Sequence, residues 1–159
     1  MGYCPPNTRM IMISLISVRL KDLFELGQEY PWKMPEKCPR CGCDRVWGHG
    51  YVSACFDGYA VPLWLKRYRC PCCSCVIRMR PCSHFRGFQA SIDTIRSTLM
   101  HRLTKGRWPP GLFGSRPRHW LEALKRKGAA LLGNTWIGDL MGAFDLIAVQ
   151  GHIPVSRSL

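Results

Sequence analysis

Two short motifs contain the residues of this chain that are best suited to chemistry. Cys-Pro-Arg-Cys places Cys38 and Cys41 three positions apart. Cys-Pro-Cys-Cys repeats that spacing at Cys70 and Cys73. Each tight turn of this kind can supply two thiolates, and four thiolates make the tetrahedral shell that Zn²⁺ prefers in structural sites. The spacing therefore predicts one structural zinc ion, bound by these four cysteines.

The choice of cysteines in the second motif has an alternative. Cys72 and Cys75 have the same spacing, and Cys43 lies next to the first motif. Cys70 and Cys73 are preferred because their spacing and the proline after Cys70 copy the first motif. A second metal site is a further alternative, and it would use Cys72, Cys75, Cys82 and His84. Otherwise these residues are small side chains around the strands.

Disulfides, redox chemistry and iron–sulfur clusters also use paired cysteines. Ten cysteines, an even number, would suit a secreted disulfide scaffold. The apolar run over residues 10–18 lacks the small-residue cleavage site of an export signal and is too short to cross a bilayer. A redox pair would need a βαβ context, while an iron–sulfur cluster would use the same four thiolates. We therefore expect a cytoplasmic protein that binds zinc and does not cross a membrane.

The sequence does not indicate catalysis. Four thiolates close the zinc shell and leave no open position for water. Neither a phosphate-cradling glycine loop nor a nucleophile elbow is present in the sequence. Asp139 and Asp145 fall six positions apart on a predicted helix, so they do not face one another. We therefore expect a protein that is not an enzyme.

The positive charge is concentrated in the middle of the chain. The formal net charge is +13. Residues 37–127 contain 18 lysines and arginines against four acids, whereas the two ends together contain five basic and six acidic residues. Such an excess opposes compaction and is typical of proteins that meet a polyanion. We expect nucleic acid to bind this central segment.

The pattern of apolar and turn residues predicts a small α+β fold in which zinc-ribbon β-hairpins precede a helical half. A strand beginning near Ile11 and a short amphipathic helix come first. The predicted segments are an N-terminal strand, helix and linker over residues 1–36, a zinc ribbon over 37–87, two basic helices over 88–133, and an amphipathic helix with a tail over 134–159.

The ribbon segment contains two longer runs of strand-forming residues. They span residues 45–51 and 61–69, and Asp57 with Gly58 supplies the turn between them. A shorter strand is expected near residues 76–79. These strands would bring the two cysteine motifs together.

Capping residues define the helices of the second half. Ser91 is the expected N-cap of a helix over residues 92–105, and Gly106 ends it. Ser115 is the expected cap of a second helix that ends near residue 132, with a proline in its first turn. The two helices and their connection resemble a helix-turn-helix, although the connection is longer than the usual three or four residues.

Basic and aromatic residues alternate through the ribbon. Cations neutralise phosphates, and exposed rings stack on bases. Trp47, Trp64 and Tyr68 are the stacking candidates, and the alternative is that they pack in the small core. Strand alternation places Trp64 and Tyr68 on the same face. The expected nucleic-acid-binding residues of this segment are Arg45, Lys66, Arg67 and Arg69.

The second helix of the basic pair has its own set of candidates. In a helix-turn-helix the N-terminal residues of the second helix meet base edges, and arginine is the commonest reader. The alternative is a solvated basic face. The candidates are Arg116, Arg118, His119, Lys125, Arg126 and Lys127.

A last amphipathic helix is predicted over residues 135–149. Trp136 and Phe144 belong to its apolar stripe. The stripe either covers the preceding helices or forms a surface for a homo-oligomer or a transposase partner.

The cysteine motifs, with Trp-Gly-His-Gly-Tyr ending at Tyr51 and Arg-Tyr-Arg beginning at Arg67, resemble the amino-terminal zinc ribbons of bacterial insertion-sequence transposases. The run is also similar to stand-alone ribbon proteins that such elements carry. The resemblance covers about residues 37–81, with a looser helical similarity to about residue 133. It implies the same four zinc ligands and DNA binding at element ends. The acidic catalytic domain of those transposases has no counterpart here.

The leading hypothesis is therefore a DNA-binding accessory or truncated transposase-like protein of a mobile element. A transcriptional regulator of related build is an alternative. So is an RNA- or ribosome-associated ribbon, in which the exposed aromatic rings would stack on bases. The remaining alternative is a protein-interaction adaptor whose zinc only stabilises the fold.

Overall fold

The computed structural model describes residues 10–112 and 114–158. Within them the chain forms one four-stranded mixed sheet and four α-helices, which confirms the small α+β class. The chain divides into two units, Met1–His84 and Phe85–Leu159. The first unit contains the whole sheet and one short helix, and the second contains the other three helices.

The first unit is organised by its sheet. Strand β1 spans Ile11–Ile16 and helix α1 spans Leu20–Leu26. Strands β2, β3 and β4 then span Trp47–Ala54, Leu63–Arg69 and Val76–Pro81. The order across the sheet is β1-β4-β3-β2, with β1 parallel to β4 and the other neighbours antiparallel. The start of the described chain is thereby joined to the strand that follows the second cysteine motif.

Most strands lie close to their predicted positions. Strand β4 matches the strand expected near residues 76–79, and β3 matches the one expected over 61–69. Strand β2 begins and ends later in the chain than the expected 45–51. Its last residue, Ala54, pairs with Leu63. The parallel pairing of β1 with β4 was not predicted, because apolar pattern identifies a strand without identifying its partner.

Strand β2 contains a bulge. Its register against β3 shifts between Gly48 and Tyr51. Gly50 has a φ of +71°, a left-handed conformation that glycine adopts without strain. A bulge of this kind bends the strand and changes the direction of nearby side chains. His49 lies at this bulge, on the strand that borders β3.

Both faces of β3 are covered over part of its length. Leu63 and Leu65 are buried in a cluster with Leu23, whereas Trp64 between them is 41% exposed. Tyr68 is buried among the cysteines, and its hydroxyl donates to the backbone oxygen of Trp32. Strand alternation places Trp64 and Tyr68 on one face, so that face is exposed at Trp64 and covered near the cysteines.

Three helices form the second unit. Helix α2 spans Ile92–Lys105, α3 spans Ser115–Leu132 and α4 spans Leu140–Val149. Their buried faces form one core cluster. The bounds of α2 are as predicted. The Ser91 side chain accepts a hydrogen bond from the Thr94 N–H, which is the geometry of an N-cap.

Two predicted helix starts differ from the structure. Ser115 is the first residue of α3, and no side chain caps that helix. The helix expected over residues 135–149 is divided into a 3-10 turn, Asn134–Gly138, and the shorter α4. Asp139 causes the division, because its carboxylate accepts the Gly142 N–H at 2.9 Å and caps α4 there.

The apolar stripe of α4 is packed inside the second unit. Phe144 is 1% exposed and lies in the same cluster as Leu124 of α3 and Leu99 of α2. The buried part of the stripe therefore packs against the preceding helices. Val149, at 85% exposure, is the large apolar residue that α4 leaves on its surface.

An ion pair connects α2 to α4. The Arg96 guanidinium donates to both carboxylate oxygens of Asp145, at 2.9 and 2.7 Å. This contact lowers the pKa of Asp145 below its ordinary value. A carboxyl group with a lowered pKa stabilises the fold above its ordinary pKa, and the contribution is lost as pH falls through the lowered value.

We expect Asp145→Asn to decrease the free energy of unfolding by about 0.5 kcal/mol at neutral pH, the usual size for an exposed pair. Urea denaturation at pH 7 and at the lowest pH at which both proteins still fold measures the difference. The difference should shrink in acid, because the ion pair is lost as Asp145 becomes protonated. A difference of equal size at both pH values would contradict this account.

Candidate metal centre

The first cysteine motif forms a tight turn over residues 38–43, called here the first cysteine turn. The Cys38 N–H donates to the Cys43 oxygen at 2.8 Å, and the Gly42 N–H donates to the Cys38 oxygen at 2.9 Å. Gly42, the residue after the second thiol, has a φ of +72°, a left-handed conformation that glycine adopts without strain. The turn directs two thiols to one side of a short loop.

The second cysteine turn, residues 70–75, repeats this backbone arrangement. The Cys70 N–H donates to the Cys75 oxygen at 3.0 Å, and the Ser74 N–H donates to the Cys70 oxygen at 3.0 Å. Ser74 has a φ of +59° and is the single residue other than glycine with a positive φ in the described part of the chain. This conformation is unfavourable for serine. Its occurrence in both turns indicates that the two turns position their thiols in the same way.

Four thiols from the two turns converge. The sulfur atoms of Cys38, Cys41, Cys70 and Cys73 all lie within 4.8 Å of one another. Two of the separations are 3.7 Å and 3.6 Å. A tetrahedron with a metal–sulfur distance of about 2.3 Å has edges of roughly 3.8 Å. The four predicted ligands therefore lie close enough to hold one metal ion.

The thiols influence one another's ionisation. Burial raises the pKa of Cys38, but hydrogen bonds from the backbone N–H groups of Cys41 and Arg40 and from the Cys73 and Cys70 thiols together lower it to about 7. For Cys41, the N–H of Cys43 lowers the pKa, while burial and the neighbouring thiols raise it to about 12. Several thiolates at this spacing repel one another, and a cation at their centre would remove the conflict.

The remaining cysteines do not form the alternative second site. Cys43 and Cys72 are joined by a disulfide that links the two cysteine turns, a pairing the sequence analysis did not foresee. Cys75 is fully buried, and Cys82 is exposed. The ring of His84 packs edge-on against Phe56. In the described part of the chain, none of Cys75, Cys82 and His84 belongs to a group of potential metal ligands.

The basic residues predicted on the ribbon have different environments. Arg45 is exposed, and the Lys66 ammonium lies 4.3 Å from the centre of the Tyr51 ring. Arg67 and Arg69 are half-buried and line a cavity on the sheet. Of the stacking candidates, Trp47 is 60% and Trp64 is 41% exposed, whereas Tyr68 is 4% exposed and is a core residue.

A basic cleft lies between α2 and α3 in the second unit. Arg118 was a predicted site residue, and the structure places it beside Arg102 and Arg107, which the sequence analysis did not single out. Lys125 also lines this cleft and pairs with Glu122 at 3.0 Å. The helical pattern of α2 could have identified Arg102, since it follows the buried Leu99 by three positions.

The other predicted residues of α3 have individual contacts. Arg116 is exposed and lies 5.3 Å from the centre of the Trp120 ring. The ring of His119 accepts a hydrogen bond from the Arg157 guanidinium at 3.3 Å. Arg126 is exposed. Among the described residues, no contact with an aromatic ring is seen for Arg118 or Arg126, the other two predicted arginines of α3.

Lys127 was predicted to be a nucleic-acid-binding residue of α3, but the structure shows that it is buried. It is 3% exposed, and its ammonium donates to the Ile153 backbone oxygen at 2.8 Å and to the Ser156 hydroxyl. Burial lowers the pKa of Lys127. The helical period puts it on the same face as Trp120 and Leu124, so its side chain lies against the core of the second unit.

No family model, curated protein or solved structure matches the chain. The likeness to insertion-sequence transposases thus rests on the cysteine motifs and neighbouring residues of the sequence. Within residues 10–112 and 114–158, the helices are too short or too polar for any of them to span a membrane.

Gly42 and Ser74 have similar positive φ values at equivalent positions of the two cysteine turns, so opposite substitutions there should have opposite effects on stability. Ser74→Gly removes an unfavourable left-handed serine, so we expect the free energy of unfolding of the metal-loaded protein to rise by about 1 kcal/mol. Gly42→Ala places a side chain in the same conformation and should lower it by about the same amount. Urea denaturation followed by circular dichroism measures both. Shifts in the same direction would show that the turns are not equivalent.

Proposed function

We propose that the metal bound by the four thiols is a structural Zn²⁺ ion and that the first unit is a zinc ribbon. The support is the donor set: four thiols whose sulfur atoms lie within 4.8 Å of one another, supplied by two turns with matching backbone hydrogen bonds. Zn²⁺ accepts this arrangement without a preference imposed by d-electrons. When bound, it would neutralise the thiolates of Cys38, Cys41, Cys70 and Cys73 and connect the two cysteine turns.

We expect about one zinc ion per chain in protein purified without added metal, measured by elemental analysis. Replacing both Cys38 and Cys41 with serine should abolish zinc binding and unfold the ribbon, because binding is coupled to folding. Cys55→Ser is the control, since Cys55 is exposed and free. A folded ribbon that contains no zinc, or contains iron with sulfide, would refute the assignment.

We further propose that the protein binds duplex DNA without catalysing a reaction. The observation that carries this function is the basic cleft of the second unit, where Arg102, Arg107 and Arg118 surround one paired acid. Clustered cations bind phosphates and release counterions. Cations alone would serve any polyanion, and the helical arrangement next to the cleft favours DNA.

Helices α2 and α3 support a helix-turn-helix mode of binding. The first turn of α3 presents Arg116 and Arg118, both exposed. In such a motif this end of the second helix enters the major groove. Since Arg116 lies against Trp120, Arg118 is the better candidate for contact with a base edge, and Lys125 and Arg126 further along α3 are candidates for phosphates.

Two acidic residues of the second unit, Asp139 and Asp145, support a non-catalytic role. Asp139 caps α4 and Asp145 pairs with Arg96. Both carboxylates thus have structural contacts, and they lie on α4 and its cap rather than facing each other across a cleft. Together with the resemblance to transposase ribbons, this favours a transposase-like accessory protein of a mobile element.

RNA or single-stranded DNA is a second candidate partner. The observation that favours it is the exposure of Trp47 and Trp64 on a strand pair that also contains Lys66 and Arg69. Exposed rings beside cations are typical of proteins that stack unpaired bases. Binding to single strands alone would select this function over the first.

The DNA proposal predicts separate effects for exposed and buried cations of α3. Replacing Arg118 and Lys125 with alanine should weaken duplex binding and reduce the slope of log affinity against log salt by about one for each lost phosphate contact. Lys21→Ala is the control, because it removes an exposed charge on α1. Lys127→Met should mainly lower stability, because it removes a buried hydrogen-bonded ammonium.

Fluorescence anisotropy with duplex and single-stranded probes over a salt series measures these effects. If Lys21→Ala reduced affinity as much per charge as the α3 variants do, the attraction would be general and the cleft would not be the DNA site.

A further inference from the structure

A small basic cavity lies on the sheet of the first unit. Its volume is about 150 Å³, below the roughly 300–1,000 Å³ of pockets that enclose drug-sized ligands. Its size suits a small ion or one chemical group of a larger molecule. The lining residues are Ile11, His49, Arg67, Arg69, Ser74, Val76 and Arg78, among which there are three arginines and no acid.

Strand pairing brings the arginines together. Arg67 on β3 is directly opposite Arg78 on β4, and Arg69 is opposite Val76. Residues that are opposite each other in a sheet share one face, and like charges in that position repel. The lining contains no carboxylate that would offset the repulsion. An anion in the cavity would do so.

Two arginines that line the cavity each have an Nε–H donor without an acceptor. The Nε atoms of Arg67 and Arg78 are buried and have no hydrogen-bond partner among the described residues. Buried donors are nearly always paired, and an unpaired one on a charged group is unfavourable. Both donors belong to guanidinium groups, whose planar fork matches the oxygen atoms of a phosphate.

The bulge of β2 and the second cysteine turn complete the wall. The bulge contributes His49, and a Cβ atom added to Gly50 would lie 3.7 Å from an Nη atom of Arg67. The second cysteine turn contributes Ser74, the residue with the positive φ. Two irregular backbone features therefore border the cavity, as is common beside binding sites.

A larger cleft shares part of this wall. It has a volume of about 360 Å³ and includes His49, Arg69 and Ser74 together with Trp47. The Trp47 ring is 60% exposed. A chemical group attached to an anion in the small cavity would thus lie near the exposed indole of Trp47, on which a nucleobase can stack.

We propose that the small cavity binds one phosphate group of a nucleic-acid strand and that the adjoining nucleoside rests against Trp47. The guanidinium groups of Arg67 and Arg78 donate to the phosphate oxygens. The nucleic-acid origin of the phosphate rests on the proposed function, whereas the phosphate site itself does not. Inorganic phosphate has the same oxygen chemistry, so the two sources must be separated by experiment.

The test is calorimetric titration of the zinc-loaded full chain with inorganic phosphate and with a short single-stranded oligonucleotide, with and without a 5′-phosphate. Arg67→Gln and Arg78→Gln should each weaken the binding of inorganic phosphate and of the oligonucleotide at least tenfold. Arg86→Gln, an equal loss of charge at an exposed arginine that does not line the cavity, should change binding less than twofold. Trp47→Ala should weaken binding of the oligonucleotide and leave inorganic phosphate unaffected.

A second measurement uses the unsubstituted protein, in case a variant loses its fold or its zinc. Phosphate should shift the Nε–H resonances of Arg67 and Arg78 in nuclear magnetic resonance spectra more than that of Arg86. Absence of shifts at tens of millimolar phosphate, or equal effects of all three arginine variants, would overturn the site. Phosphate binding with no gain from the nucleoside would overturn the nucleic-acid assignment.

Duplex binding through Arg118 is measured on the same proteins. If the cavity variants and the wild type bind duplex equally while no phosphate titrates, the cavity proposal fails and the proposed function stands. If phosphate binds but neither duplex nor single strands do, the function fails and the phosphate site stands.

Discussion

The convergence of four thiols on one point is the constraint on which the first unit depends. Sulfur atoms at 3.6–3.7 Å cannot all become thiolates without a cation, because each negative charge raises the pKa of its neighbours. The turns that supply them are also sheet connections: the second links β3 to β4, and the first precedes β2. A metal at this point would therefore hold the strands as well as the cysteines.

The register of the sheet transmits this constraint to the basic face. Ser74 belongs to the second cysteine turn and also lines the cavity in which Arg67 and Arg78 meet. Loss of the metal would release the turn between β3 and β4, and with it the pairing that puts these arginines opposite each other. In this account zinc has no chemical role towards nucleic acid, yet the geometry of the phosphate site depends on it.

Local signals in the sequence were sufficient for some of this structure and not for the rest. Spacing identified the cysteine cluster, and Ser91 identified the start of α2, because turns and caps are formed by neighbours in the chain. The β1–β4 pairing, the burial of Tyr68 and the internal hydrogen bonds of Lys127 depend on residues distant in sequence. Helical periodicity could have corrected Lys127, whereas nothing local indicates which strand β1 joins.

X-ray absorption at the zinc edge tests the central claim most directly. For protein purified without added metal, the account predicts a zinc ion with four sulfur neighbours at about 2.3 Å and no nitrogen or oxygen ligand. Replacing Cys73 with serine should reduce the sulfur count, whereas replacing Cys82, which lies outside the cluster, should not. A coordination shell with fewer than four sulfurs in the unsubstituted protein, or no bound zinc, would contradict the account.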